Sequence, residues 1–546
     1  MMTAGERGSH VCPPPWRCGM ADMSGIHLLR ITLQAASPLA IGSGNILIRE
    51  APDETSREAA ARIRLAASNT DPQLAAAKRW ITLRSLVRDA DGFPTIPPRS
   101  LRGAVRHLAQ RRHHRAAVDA LLGWQGFDHD GGAGRVHFGW ARIHGQTDAC
   151  PPRDTRAEGE NDEILARLRE EAPLERNHIA IDHRGIVDGR RKYLMAAVPM
   201  GTRFSLQLTM RGVEREWDAK GFTLSTLLDL LANPELRLGR GSTRGYGALT
   251  IVRASRCWLP LSPEGVHTLR KKRAELPSEH FKDNITPSRY DDVEVHEIEL
   301  KTRDLVGIST GASTDSASYV PPGESWTPVV GDYAPESVVV DGHAKPAPLL
   351  VETVIEWPQD GKGQAAKLAN AFSFPAASLK GPLAHRTLYW WNRQNKRVID
   401  MSPQSTADDR AADLSKFKHR PPALQALLGA IKDSRTAQGR MGTAAFQDGV
   451  FKASHVMRVD HTSIDRFTGG VRDRLGALFA EELLFGATAK MHFTLRRPPD
   501  IEAEEWTKAL AALRASLDDL VGGRLPIGGR GWGRMSGSHS LGKMGR

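Results

Sequence analysis

Residues 237–253 set Arg237, Arg240, Arg244 and Arg253 among glycines with no acid. Residues 521–546 repeat this with Arg524, Arg530, Arg534, Lys543 and Arg546. Glycine lets a backbone approach a phosphodiester closely, and arginine supplies charge and forked donors. The chemistry on offer is therefore polyanion binding. Neither loop is a Walker A motif, because no Gly-Lys-Ser/Thr closes it, and each follows a helical pattern rather than opening one, unlike a dinucleotide fingerprint. A second cluster runs from Arg99 to Arg115, with six arginines and no acid. Ser100 is expected to cap a helix there that extends to about His113, with Arg102 and Arg106 on one face. A helix N-terminus adds its own pull on phosphate. Ser378 opens a matching helix to about Arg393, bearing Lys380, His385 and Arg386. Its Tyr389, Trp390 and Trp391 read as core more than as base-stacking groups. A third cluster holds Arg176, His178, Arg184, Arg190 and Arg191, with a counterpart in Arg458, Arg466, Arg472 and Arg474. Both read as extended basic hairpins, with Asp182 and Asp465 as turn formers.

These clusters recur in order. Ile96-Pro97-Pro98-Arg99-Ser100-Leu101-Arg102-Gly103 returns as Phe374-Pro375-Ala376-Ala377-Ser378-Leu379-Lys380-Gly381. Ile181-Asp182 returns as Ile464-Asp465, and Arg244-Gly245-Tyr246-Gly247 as Arg530-Gly531-Trp532-Gly533. Leu39 to Gly44 matches Leu305 to Gly311. The offsets drift from about 267 to 286 residues, as tandem duplication would leave them. The expected organisation is a disordered tail over 1–24, a domain over 25–256, a linker over 257–294 and a second domain over 295–540. Inserts at 45–80 and 312–370 carry no fold expectation.

Each half needs the same elements to present its clusters. Residues 26–36 and 293–301 read as opening strands, and 248–252 as a closing strand. Residues 222–232 and 502–520 read as second helices, the latter with Trp506, Leu510, Leu513, Leu517 and Leu520 on one face. Strand, helix, strands, helix, glycine loop and strand is a ferredoxin-like βαββαβ order, shared with RNA-recognition motifs. The fold class expected is α+β, as two tandem ferredoxin-like domains with inserted loops and thumb hairpins.

The 546 residues hold 75 Lys plus Arg against 63 Asp plus Glu, for a net charge of +12. That balance fits a polyanionic partner. No stretch approaches a membrane span, and no apolar segment marks a secretory signal. Four cysteines make no disulfide framework and no paired zinc site, so a reducing, cytoplasmic setting is expected.

The helix starts, the duplicated glycine loops and the segment Ser463-Ile464-Asp465-Arg466-Phe467-Thr468-Gly469-Gly470, with Gly476 to Phe479 and Glu481-Glu482 after it, resemble the CRISPR-associated RAMP superfamily. The resemblance spans both halves. Two backbone-type units in one chain resemble the double-repeat subunit of a type III-D effector. This implies a guide RNA along the repeats, a complementary target RNA paired with it, neighbouring effector subunits, and target cleavage by a loop aspartate with Mg²⁺ or Mn²⁺. The residues implied to hold RNA are Ser100, Arg102, Arg106, His178, Arg184, Arg240, Arg244, Ser378, Lys380, Arg386, Arg458, Arg466, Arg530 and Arg534. In the first half, the position implied for the cutting aspartate holds Leu83, before Leu86-Val87-Arg88-Asp89; Asp53 and Asp71 are its substitutes. In the second half Asp315, Asp332 and Asp341 share the matching loop, and Asp341, nearest Leu349-Leu350-Val351, is the first choice for catalysis and metal. Two other readings stay open. One is an inactive guide-binding scaffold. The other is a metal-independent guide-processing ribonuclease using the histidines near 107–114.

Overall fold

The computed structural model describes residues 25–50, 81–125, 131–150, 162–181, 187–214, 222–265, 267, 281, 283–287, 293–308, 349–358, 365–397, 420–430, 439–462, 470, 478–528 and 533–542. The tail 1–24 and most of both inserts lie outside them.

In the first half the strands include β1 (Gly25–Ala35), β2 (Gly42–Glu50), β3 (Ile81–Leu86), β4 (Val136–Phe138), β5 (Leu174–Ile181), β6 (Val187–Ala197), β7 (Arg203–Gly212), β8 (Arg244–Gly245) and β9 (Leu249–Pro260), with short pieces at Gly123–Gln125, Gly131–Ala133 and Arg142–Ile143. The helices are α1 (Pro98–Ala109), α2 (Arg115–Leu122), α3 (Glu163–Arg169) and α4 (Leu224–Leu231). β1 runs antiparallel to β7 on one side and to β9 on the other, and β4 extends the sheet beyond β7. The strands alternate because one face must be dry. Phe204, Leu206, Leu208 and Met210 of β7 are buried, as are Leu29, Ile31, Leu33 and Ala35 of β1. They pack with Leu101, Val105 and Leu108 of α1 and the leucines of α4 in one core.

In the second half the strands are β10 (Glu294–Thr302), β11 (Val351–Glu356), β12 (Lys367–Phe374), β13 (Ala445–Gln447), β14 (Gly449–Lys452), β15 (His455–Thr462), β16 (Leu478–Phe485), β17 (Thr488–Leu495) and β18 (Met535–His539). The helices are α5 (Ala376–Gln394), α6 (Pro422–Leu428) and α7 (Ala503–Val521). β10 lies between β17 and β18, and β13 and β14 pair with β17 from the far side. Both halves thus place the closing strand beside the opening one, and the opening one beside the strand that precedes the second helix. The architecture is mixed α+β. Part of the insert 312–370 is ordered into the antiparallel pair β11 and β12.

Four expectations change. Ser100 is not the cap of α1: the helix starts at Pro98 with Pro97 at the N-cap, and Ser100 sits inside the first turn. Proline at N1 supplies a preset φ without needing the N–H that is orphaned there. α5 likewise follows Pro375, so Ser378 is inside its first turn. α1 stops at Ala109, and the arginines beyond it lead into the separate α2 rather than one long helix. The closing strand β9 runs to Pro260, past the expected boundary at 256.

Candidate RNA interface

The first glycine loop joins α4 to β9. Thr223 caps α4 by accepting from Thr226 N, and the chain then turns at Gly239, Gly241, Gly245 and Gly247, all with positive φ. Two of these turns also demand a missing side chain. A Cβ at Gly239 would lie 2.4 Å from Ala40 O, and one at Gly245 would lie 1.5 Å from Asp448 Oδ1. The tight turns lift Arg244 into solvent and leave Arg240 half-exposed. Burial, with Arg84 beside it, lowers the Arg240 pKa.

Two further side chains complete this face. Arg84, exposed on β3, stacks on Tyr193 of β6 with 5.4 Å to the ring centroid. Tyr193 stacks on His178 at 5.0 Å and 17°. β3 and β6 run parallel here, with Arg84 opposite Met195. Among the described residues, no carboxylate pairs with Arg84, Arg240 or Arg244. Three basic groups beside an aromatic ring make a site for phosphates with a platform for a base.

The other expected site residues are placed variously. His178 lies beneath this face, its Nε2 2.8 Å from Tyr246 Oη. Burial, with Arg244 and Arg176 nearby, lowers its pKa to about 4. Arg102 donates to Leu122 O, and Arg106 to Gly123 O and Asp119, so both close the end of α2. Ser100 is exposed beside them. Arg112 pairs with Glu235 at 2.9 Å and Arg115 with Asp119 at 3.5 Å. Much of the basic run is therefore answered within the chain. Lys380 is buried and donates to Thr243 O and Ala444 O; burial, Arg244 and Arg420 lower its pKa to about 7. Arg386 pairs with Asp519, which also accepts from Trp390 Nε1 and Arg524. Ser378 is half-buried and Arg534 exposed. Arg458 lies on β15, the first strand of the second hairpin. Arg184, Arg466 and Arg530 lie outside the described residues.

So do Asp53, Asp71, Asp315, Asp332 and Asp341, and with them the expected catalytic and metal-binding carboxylates. Among the described residues, no group of three or more His, Cys, Asp or Glu side chains could hold a metal ion. Leu83 is fully buried in the first core. His107 and His113 both have pKa values lowered, chiefly by burial and then by neighbouring arginines. Among the described residues no acid pairs with either of them.

Sequence reading missed Arg84, Tyr193, Tyr246, Glu352 and Asp448. Arg84 was detectable: it follows buried Leu83 in a short strand, where successive side chains point to opposite faces. The rest gain meaning only from contacts between distant segments.

The fold and this face define an α+β chain presenting a basic, glycine-turned loop beside an arginine–tyrosine stack, an arrangement suited to single-stranded nucleic acid. Residues 32–250, about two fifths of the chain, match the family model described as the RAMP superfamily. The match runs from β1 into β9 and contains the loop, the hairpin and α1. No curated protein matches the chain. Among the described residues, no helix is long and apolar enough to cross a membrane.

Proposed function

We propose that this chain is a double-repeat backbone subunit of a type III CRISPR effector, binding guide RNA along its two halves and presenting it to complementary target RNA. The observation that carries this reading is the face formed by Arg84, Tyr193, Arg240 and Arg244 inside the segment matched to the superfamily. The common strand order of the two halves supports two tandem ferredoxin-like units, at about 25–256 and 295–540. Guide and target RNA and neighbouring effector subunits are its partners, and the cytoplasm its compartment.

Cleavage is assigned to the second half, with Asp341 first among Asp315, Asp332 and Asp341, and with Mg²⁺ or Mn²⁺ required. Leu83, buried where family members that cut carry an aspartate, favours a first half that only binds. The test is assembly of the chain with guide RNA and partner subunits, then incubation with end-labelled complementary RNA in Mg²⁺ or EDTA. EDTA-sensitive bands are expected, and Asp341→Ala should remove one. Tight binding without bands would make the whole chain a scaffold. Bands that persist in EDTA would point instead to histidine chemistry.

A further inference from the structure

The first glycine loop is gripped by the second half of the chain. β8 pairs in parallel with β13, Arg244 opposite Phe446 and Gly245 opposite Gln447. Lys380 Nζ donates to Thr243 O at 3.1 Å and to Ala444 O at 3.0 Å. Asp448 occupies the space a side chain at 245 would need. One of its oxygens accepts from Ala376 N at 2.7 Å, at the start of α5, and the other accepts from Arg176 Nη1. Arg176 also binds both oxygens of Glu352 and donates to Ser373 Oγ at 3.1 Å. Its guanidinium lies 5.0 Å from the centroid of the Tyr246 ring, and the Tyr246 hydroxyl meets His178. Gln447 Nε2 donates to Ala36 O at 2.9 Å.

We propose that Arg176, Asp448 and Lys380 are positioning residues, through which the second half holds the first glycine loop and the base of the first hairpin in the geometry that meets RNA. The proposal rests on the RNA-binding reading above. Arg176, Lys380 and Asp448 are 3%, 8% and 8% exposed, too buried to be RNA contacts themselves. Their action passes through Thr243, Gly245 and Tyr246 to Arg240, Arg244 and Tyr193. Burial makes the grip stiff: shifting the loop would leave a charge or a carbonyl without its partner in a dry setting. RNA affinity at the first loop thus depends on packing in the second half, and the two halves engage RNA as one unit.

The test uses the full chain and a fluorescein-labelled single-stranded RNA of about 30 nucleotides, titrated by anisotropy over a range of salt. Arg240→Ala with Arg244→Ala should lower the slope of log affinity against log salt by about 2, since each arginine answers about one phosphate. Lys380→Met should weaken binding by about tenfold and lower the same slope by about 1 to 2, although Lys380 touches no phosphate. Gln447→Ala, which removes no charge, should act in the same direction. Combining Lys380→Met with the arginine pair should add little, because both act through one loop. Asp448→Asn should also weaken binding and lower the slope; if it fails to fold, Lys380→Met and Gln447→Ala carry the test. Hydrogen exchange without RNA gives a separate readout: amides of residues 239–247 should exchange faster in Lys380→Met. Unchanged exchange, or a lowered melting temperature with an unchanged salt slope, overturns the proposal. A wild-type chain that does not bind RNA overturns the RNA reading and the RNA part of this inference, while exchange still decides whether the loop is gripped.

Discussion

His178 shows how one side chain can carry both structure and a measurable signature. It is buried against Tyr193 and Tyr246, and accepting a proton there would place a third positive charge beside those of Arg176 and Arg244. Its pKa falls to about 4, against roughly 6.5 in an unfolded chain. Between those values the unfolded state binds the extra proton. Stability is therefore complete above about pH 6.5 and declines as pH drops toward 4, by about 2 kcal/mol between pH 7 and 5. Denaturant unfolding across that range should show the decline, and His178→Phe should flatten it. An equal decline in both proteins would remove His178 as its source. Arg102 and Arg106 teach the complementary lesson at this scale. Their i, i+4 spacing was visible in the sequence and suggested an RNA face, whereas their guanidiniums close the C-terminal end of α2. Free carbonyls at a helix end attract cations as a phosphate does.

At the scale of elements, the strands and helices were the most readable part of the sequence. Expected strands at 26–36 and 293–301 became 25–35 and 294–302, and expected helices at 222–232 and 502–520 became 224–231 and 503–521. The strand at 294–302 and the helix at 503–521 are amphipathic, and their period places their buried faces, whereas β1 is marked by its apolar content. Helix starts were harder. Serine is the expected cap, but the preceding proline fixes the first turn in both α1 and α5. The glycine loop was legible in kind and not in cause. Gly245 is required less by RNA than by Asp448, a residue far along the chain. Its φ of +108° and the 1.5 Å approach of a Cβ to Asp448 Oδ1 predict that Gly245→Ala costs at least about 2 kcal/mol. Chemical denaturation measures it. A cost within about 0.5 kcal/mol would mean the loop relaxes freely.

Over the whole molecule, the two halves share a frame and differ where they meet other surfaces. Ala35 N donates to Thr202 O in the first half as Thr302 N donates to Ala487 O in the second. From that register, Phe138 opposite Leu208 corresponds to Phe446 opposite Phe493, and Ile143 opposite Phe204 to Phe451 opposite Ala489. Trp140 then stands where the second half has Asp448. Asp448 is buried at the seam, and Trp140 is 56% exposed. The repeats are specialised: one presents an aromatic outward where the other holds an internal ion pair. Arg176 binds Glu352 and Asp448 across the seam. Burial opposes its charge, and the two carboxylates outweigh that and raise its pKa well above the ordinary value. Removing one member of such a buried set typically costs about 3 to 5 kcal/mol. Calorimetry of the wild type should therefore show the halves unfolding together. Arg176→Ala should lower the transition and split it in two. Two separate transitions in the wild type would deny this coupling.

The periodic elements, the duplicated order of motifs and the concentration of positive charge in glycine loops can all be read from the amino-acid order. These are local properties, set by side-chain period, backbone freedom and composition. Tertiary structure alone decided which arginines face solvent and which close helix ends or cross the seam. Local charge density does not reveal that division, because a buried guanidinium is answered by carboxylates and carbonyls far away in the chain. Arg84 and Arg102 look alike as letters in basic stretches. One lies on a tyrosine at the surface, and the other is spent on the end of a helix.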